Sequence, residues 1–99
     1  MTLIRSELIG FGHYLPAKVL TNDDMAKMVE TNDEWISTRT GIKSRHVAAE
    51  NEFTSDISLI AARNALKSAN ISAEDLDLII VATVTTDDTT PSTAAKISG

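Results

Sequence analysis

The sequence predicts an α/β fold in which helices cover a mixed sheet. The apolar run Leu78–Val84 does not alternate with polar residues, which is typical of a strand buried on both faces in the parallel part of a sheet. Thr54–Ala69 carries its apolar residues at helical spacing on one face. Extended and helical segments follow one another along the rest of the chain, which favours a layered α/β architecture.

The first predicted element is a strand, Leu3–Leu15, which Pro16 ends. Gly10 and Gly12 lie where a neighbouring backbone or a ligand can approach closely. The dinucleotide-binding fingerprint would need a third glycine where Leu15 stands and a helix where Pro16 stands. Close packing of the strand is therefore the better explanation of the two glycines.

Two helices are predicted next. Thr21 or Asn22 caps the first, and Thr21 with Asp24 forms an imperfect capping box. The second begins at Asn32 or Asp33 and ends at Gly41, a residue suited to the left-handed position after a helix. The first helix is expected to bury a stripe of Met25, Met28 and Val29.

The remaining elements are an extended segment, a long helix and a short turn. Ile42–Ala48 alternates loosely and is expected to be extended. Thr54–Ala69 has Asp56 at its positive end and Lys67 near its negative end, which suits the helix dipole. A short capped turn that starts at Ser72 then leads into the run Leu78–Val84.

The predicted fold is incomplete within residues 1–99. A strand covered on both faces needs helices on both faces, and only one long amphipathic helix is present. A last helix starts at Ser92 and reaches Gly99 after little more than a turn. Exposing one face of Leu78–Val81 costs about 1.5–3 kcal/mol for each large residue. We expect a piece of a larger protein; the alternative is that a second copy of the chain covers the sheet.

Composition excludes several classes of function. The 99 residues are 42% hydrophobic with a net charge of -5 and no basic stripe, which argues against a nucleic-acid partner. The absence of cysteine excludes disulfides, thiolate metal sites and a cysteine nucleophile within these residues. Arg5 and Glu7 interrupt the first apolar stretch, so it is no signal peptide. Leu78–Val84 is far shorter than the ~20 residues of a membrane helix, and the cytoplasm is the expected location.

The acidic pairs and the histidines favour structural roles. Asp23-Asp24 and Asp33-Glu34 fall in first helical turns, where carboxylates are stabilised by the helix dipole. Asp87-Asp88 follows the apolar run, and a solvated loop is favoured there over a ligand site. None of the pairs has calcium-loop spacing. His13 and His46 lack a nucleophile in a recognised context, so both are interpreted as structural.

Trp35 and Arg39 form the candidate binding site. They are four residues apart on a predicted helix, so their side chains share a face. An indole can stack on an adenine, and a neighbouring guanidinium can pair with phosphate. From spacing alone, however, a tryptophan in the core and a solvated or ion-paired arginine are the commoner outcome.

The segment Thr31–Ile42 closely resembles the stretch that marks the β-ketoacyl-acyl carrier protein synthase III family, of the thiolase-like superfamily. The resemblance extends in the same order over essentially the whole chain. It includes Ile9–Pro16, Thr21-Asn22, Arg45–Ala48, Leu78–Thr83 and Pro91-Ser92. It implies that residues 1–99 are the N-terminal segment of the first of two similar α/β halves, in a homodimeric enzyme of five layers.

The resemblance also implies an activity. Enzymes of this family move an acyl group, usually acetyl, from coenzyme A to a cysteine and condense it with malonyl-acyl carrier protein, with loss of carbon dioxide. Trp35 would stack on the adenine, Arg39 would contact the nucleotide or its phosphates, and Thr31 would lie at the same entrance. Coenzyme A serves here as a substrate carrier, so neither an organic cofactor nor a metal is expected.

The family's catalytic Cys-His-Asn triad has no counterpart in residues 1–99, and no catalytic residue is assigned. Its cysteine would stand shortly beyond Gly99, and this segment alone is expected to be inactive. Many relatives carry a phenylalanine that reaches into the partner's acyl pocket where this chain has Thr90, which suggests tolerance of longer acyl starters. The alternatives are a non-catalytic coenzyme A-binding module and a self-association module.

Overall fold

The computed structural model describes residues 3–88 and 92–99, and the chain forms two compact units. One unit is Leu15–Glu52; the other combines Met1–Tyr14 with Phe53–Gly99. The first contains β1 (Lys18–Thr21), α1 (Asn22–Ala26), α2 (Asp33–Thr40) and β2 (Ser44–Val47). The second contains α3 (Thr54–Ala69), a short 3-10 turn (Ala73–Asp75) and α4 (Thr93–Ser98).

The sheet of the unit Leu15–Glu52 is an antiparallel pair. Its register runs from Lys18 opposite Val47 to Thr21 opposite Ser44. Strand β2 confirms the extended segment predicted within Ile42–Ala48. Strand β1 was not predicted, because four residues show too little alternation and their partner lies far along the chain.

Helix α1 begins as predicted and ends earlier than predicted. The hydroxyl of Thr21 accepts from the amide of Asp24 at 3.2 Å, and the Asp24 carboxylate accepts from the Thr21 amide at 2.9 Å, so the capping box is complete. The helix ends at Ala26. Met28 and Val29, 60% and 54% exposed, therefore lie beyond it, and the predicted buried stripe is wrong.

Helix α2 has the predicted boundaries at both ends. The Asn32 side chain caps it by accepting from the backbone amide of Trp35 at 2.7 Å. Gly41 follows the last turn with φ 73°, a left-handed conformation that glycine adopts without steric cost. The eight residues between these caps carry Trp35 and Arg39.

In the other unit, α3 matches its predicted span, and the glycines of the first segment pack directly on it. A Cβ atom added to Gly12 would lie 2.3 Å from the carbonyl oxygen of Ala61. One added to Gly10 would lie 2.7 Å from the Cβ atom of Ala69. The alanine face of α3 therefore accepts a backbone with no side chain at these positions, which confirms close packing as the reason for Gly10 and Gly12.

The two other predicted strands, Leu3–Leu15 and Leu78–Val84, are not strands in the structure. Within residues 3–88 and 92–99, no hydrogen bond between backbone groups joins either segment to a neighbour. The sheet of the described residues is thus two-stranded and antiparallel rather than mixed. Because a strand exists only through its pairing, an apolar run does not form a strand unless a partner strand lies beside it.

The apolar side chains are accordingly open to solvent. Among the described residues, no hydrophobic side chain is fully buried, and Asn22 and Thr93 are the buried polar ones. Leu78 and Ile80 are 74% and 81% exposed, so the prediction that Leu78–Val84 is buried on both faces is wrong for the chain alone. None of the described helices combines the length and the apolar character that crossing a bilayer requires.

Candidate functional site

Trp35 and Arg39 lie together on the surface of α2. The Cζ atom of Arg39 is 5.3 Å from the centroid of the Trp35 ring, which is cation–π geometry. The predicted shared face is therefore confirmed by direct contact. Trp35 is 54% exposed, so it does not pack in a core within its unit. The pair presents a flat aromatic surface next to a fixed positive charge.

A recess of about 240 Å³ adjoins this surface at the start of α2. It is lined by Glu30, Thr31, Asn32 and Trp35. The hydroxyl oxygen of Thr31 is buried and has no hydrogen-bond partner among the described residues. A buried hydroxyl without a partner costs about 1–3 kcal/mol, so the recess has an unused polar group that a ligand can satisfy. Thr31, which precedes the N-cap of α2, thus lines the recess together with Trp35, and Arg39, in the last turn of the helix, contacts the Trp35 ring.

Asn22 binds α2 through its buried side-chain amide. It is 1% exposed, and its Nδ2 atom donates to Asp33 Oδ1 at 2.7 Å and to the Ile42 carbonyl at 2.8 Å. Its Oδ1 atom accepts from Arg45 Nη2 at 2.7 Å. Sequence reasoning considered Asn22 as a possible helix cap but missed this network, because its partners are 11 to 23 positions further along the chain and no periodic pattern connects them.

The carboxylate of Asp33 is stabilised by the same network. The hydrogen bond from Asn22 is the largest cause that lowers the pKa of Asp33 below its ordinary value of 3.8, followed by that from Ser37. The positive charge of Lys43 lowers it further, and partial burial opposes the shift. Asp33 is therefore a charged structural group at neutral pH rather than a general acid.

The acidic pair Asp87-Asp88 has a structural role in the other unit. The Asp87 carboxylate accepts from the backbone amide of Ser55 at 2.9 Å and from the Ser55 hydroxyl, at the start of α3. Lys96 lies 3.5 Å from Asp87 and 2.7 Å from Asp88. The Asp87 side chain is only 7% exposed, so the prediction of a solvated loop is wrong for this residue.

Other candidate chemistry is sparse in the described part of the chain. There, no group of three or more histidine, cysteine, aspartate or glutamate side chains is arranged to hold a metal ion. His46 Nδ1 lies 2.6 Å from the carbonyl oxygen of Pro16, a contact that supports its structural interpretation. The backbone carbonyl of His13 accepts from Asn64 at 3.1 Å. Thr90 lies outside the described residues.

Over nearly all of its length, the chain is similar to known proteins of one kind. The chain is 57% identical, over 94 residues, to the β-ketoacyl-[acyl-carrier-protein] synthase III of Rhodospirillum centenum. The 3-oxoacyl-[acyl-carrier-protein] synthase III of Aquifex aeolicus superposes with a TM-score of 0.85 at 53% identity, over 91% of this chain. The predicted resemblance to β-ketoacyl-acyl carrier protein synthase III is confirmed.

The chain is closely similar to synthase III proteins but spans a limited part of their length. The chain spans 29% of the Rhodospirillum centenum protein and 29% of the Aquifex aeolicus structure. The priming β-ketosynthase of the R1128 polyketide pathway also superposes, with a TM-score of 0.85 at 33% identity, over 92% of this chain and 27% of its own. No family profile matches the chain. The α/β, thiolase-like fold class is confirmed by these structures.

Proposed function

We propose that this chain is the N-terminal segment of the first thiolase-like half of a condensing enzyme. The enzyme joins acetyl-coenzyme A, or another short acyl-coenzyme A, with malonyl-acyl carrier protein by decarboxylative Claisen condensation. The 57% identity to a synthase III supports the reaction class. The observation that carries the proposal is the exposed Trp35–Arg39 pair beside a recess with the unsatisfied Thr31 hydroxyl.

The site fits the nucleotide end of coenzyme A. An adenine stacked on the indole of Trp35 gains about 1–3 kcal/mol, as bases do on aromatic side chains elsewhere. The guanidinium of Arg39 has donors on a planar fork that can pair with two phosphate oxygens. Because Arg39 covers one face of the ring, the adenine takes the other face or displaces the guanidinium. The Thr31 hydroxyl supplies a neutral hydrogen bond inside the recess.

This segment binds and orients the substrate but performs no bond-making step. Residues 1–99 contain no cysteine, so the thiolate that attacks the acyl thioester belongs to the rest of the protein. The family resemblance implies the same for the catalytic histidine and asparagine. Coenzyme A leaves as the acyl-enzyme forms. The malonyl group then loses carbon dioxide, its carbanion attacks the acyl carbonyl, and the cysteine thiolate is expelled. We expect no condensation by residues 1–99 alone.

The binding role of Trp35 is tested by Trp35→Ala in the full-length protein. Loss of the stacking surface is expected to raise the Kd for coenzyme A about tenfold or more, and Trp35→Phe is expected to have a smaller effect. Isothermal titration calorimetry with coenzyme A measures both. Met28→Ala serves as the control, since Met28 is similarly exposed and does not line the recess. A Kd unchanged by Trp35→Ala contradicts the proposal.

The same proposal includes the oligomeric state, the location and the partners of the enzyme. The enzyme acts as a homodimer in the cytoplasm and uses acyl-coenzyme A and malonyl-acyl carrier protein as partners, as the family resemblance implies.

A second candidate, a self-association module, is favoured by the exposed apolar side chains of Leu78, Ile80 and Val84. The coding sequence that follows position 99 distinguishes the two, because the enzyme requires a cysteine, a histidine and an asparagine there and a self-association module does not.

A further inference from the structure

Asn22 connects elements that surround the candidate site without touching it. It stands where β1 passes into α1, and its backbone amide donates to the Lys43 carbonyl at 3.1 Å. Its Nδ2 group reaches Asp33 and Ser37 on α2, at 2.7 and 3.3 Å, and the Ile42 carbonyl at 2.8 Å. A side chain that is 1% exposed thus uses its amide to join three segments of the unit.

The face of α2 that Asn22 holds is opposite to the face that carries the site. Asp33 and Ser37 are one helical turn apart and both lie against Asn22. Trp35 and Arg39 follow each of them by two residues, which is about 200° around an α-helix. The hydrogen bonds to Asn22 therefore fix the rotation of α2 about its own axis, and that rotation sets the direction of the indole and the guanidinium.

The other side of Asn22 is anchored to the sheet. Arg45 on β2 donates to Asn22 Oδ1 at 2.7 Å and to the Leu20 carbonyl on β1 at 3.3 Å. Lys43 adds a second link, since its Nζ atom donates to Ser37 Oγ at 3.0 Å. Polar contacts in this way tie helix α2 to the β1–β2 pair, in a unit whose described residues form no hydrophobic core.

We propose that Asn22 is a positioning residue for coenzyme A binding: it locks α2 on the β1–β2 pair so that Trp35 and Arg39 meet the nucleotide. This inference rests on the proposed function. An aspartate at position 22 has nearly the same shape and accepts from Arg45, but it cannot donate to Asp33 or to the Ile42 carbonyl. The amide, rather than the size of the side chain, is therefore what the site requires.

The test compares Asn22→Asp, the swap Asn22→Asp/Asp33→Asn and the control Asn64→Asp in the full-length protein. We expect Asn22→Asp to raise the KM for acetyl-coenzyme A and the Kd for coenzyme A about tenfold, with kcat changed less than about twofold. The swap restores a donor opposite a carboxylate, so it is expected to recover part of the lost affinity. Asn64 lies in the other unit, where its side chain donates to the backbone carbonyl of His13, and Asn64→Asp should leave both constants unchanged.

The readouts separate positioning from simple destabilisation. Partial unfolding lowers the active fraction and hence kcat, whereas a displaced binding surface raises KM. A lower kcat at unchanged KM, or no recovery of affinity in the swap, overturns the inference while Trp35→Ala still raises the Kd. If Trp35→Ala leaves the Kd unchanged, the proposed function fails and this inference with it.

A milder variant covers the case in which Asn22→Asp does not fold. Ser37→Ala removes one acceptor of Asn22, one partner of Lys43 and the hydrogen bond from Ser37 to Asp33, and leaves the bonds from Asn22 to Asp33 and to the Ile42 carbonyl in place. It is expected to raise the Kd about two- to threefold, in line with the loss of weak hydrogen bonds. An unchanged Kd in Ser37→Ala overturns the inference in that case.

Discussion

Trp35 keeps 54% of its surface exposed because α2 turns it away from the face that Asp33 and Ser37 fix. A large apolar side chain left in water forgoes about 1.5–3 kcal/mol of burial. Arg39 recovers only part of this, since an exposed cation–π pair contributes about 0.5–1 kcal/mol. The part of the Trp35 ring that Arg39 leaves exposed is energetically unfavourable in the free segment. A ligand that stacks on the indole would remove this cost.

Thr90 gives a specificity prediction at the residue scale. If it occupies the acyl pocket as the family resemblance implies, Thr90→Phe narrows that pocket. Discrimination against longer acyl chains should then rise by about tenfold or more in kcat/KM relative to acetyl-coenzyme A, as expected for a few methylene groups. Competition between acetyl- and longer acyl-coenzyme A measures this, with Val29→Phe as the control, since Val29 is an exposed residue of the other unit. An unchanged chain-length preference contradicts the prediction that the residue at position 90 limits the acyl pocket.

Helices and caps were predictable at the scale of single elements, because their determinants are local. Asn32 and Gly41 delimit α2, and Thr21 with Asp24 starts α1, as the sequence indicates. The end of α1 was not predictable, since Met28 continues the apolar spacing beyond the last helical residue. Strand β1 and the Asn22 network were missed for a related reason: both depend on partners more than ten residues away.

The start of α3 yields a prediction about pH. Hydrogen bonds from Ser55 are the largest cause that lowers the pKa of Asp87 below its ordinary value of 3.8, and Lys96 adds a favourable charge. A carboxylate with a lowered folded pKa contributes stability that is fully present above 3.8 and is lost as the pH falls through the folded value. The helix should therefore lose stability in acid.

The variant Asp87→Asn isolates this contribution. It is expected to lower stability at neutral pH and to make the dependence on pH below about 4 shallower, since the group that titrates is gone. Urea unfolding of the full-length protein, followed by far-ultraviolet circular dichroism at several pH values, measures both effects. Asp77→Asn, an exposed aspartate outside the cluster, should retain the original profile. An Asp87→Asn protein with the same acid profile contradicts the assignment.

On the scale of the whole molecule, the described residues have faces suited to burial but no buried apolar core. Leu8 and Ile9, in the first segment, are 81% and 58% exposed, and Ile80, in the later apolar run, is 81% exposed. A groove in the same unit is lined mainly by apolar side chains of α3 and α4, together with a few from these two segments. Sequence periodicity identified these faces correctly as apolar, but it cannot show which part of a structure covers them.

The 99-residue chain alone should therefore not behave as a stable monomer. Exposed apolar side chains on unpaired extended segments favour association between copies, and without a buried core the unfolding transition should be broad. Sedimentation velocity and urea titration test this directly. Ile80→Ser is expected to reduce association because it removes one of the most exposed apolar side chains of the run, while Val29→Ser in the other unit should not. A monomer that unfolds cooperatively would show that these segments stabilise themselves, and the assignment of the chain to a larger half-domain would lose its energetic support.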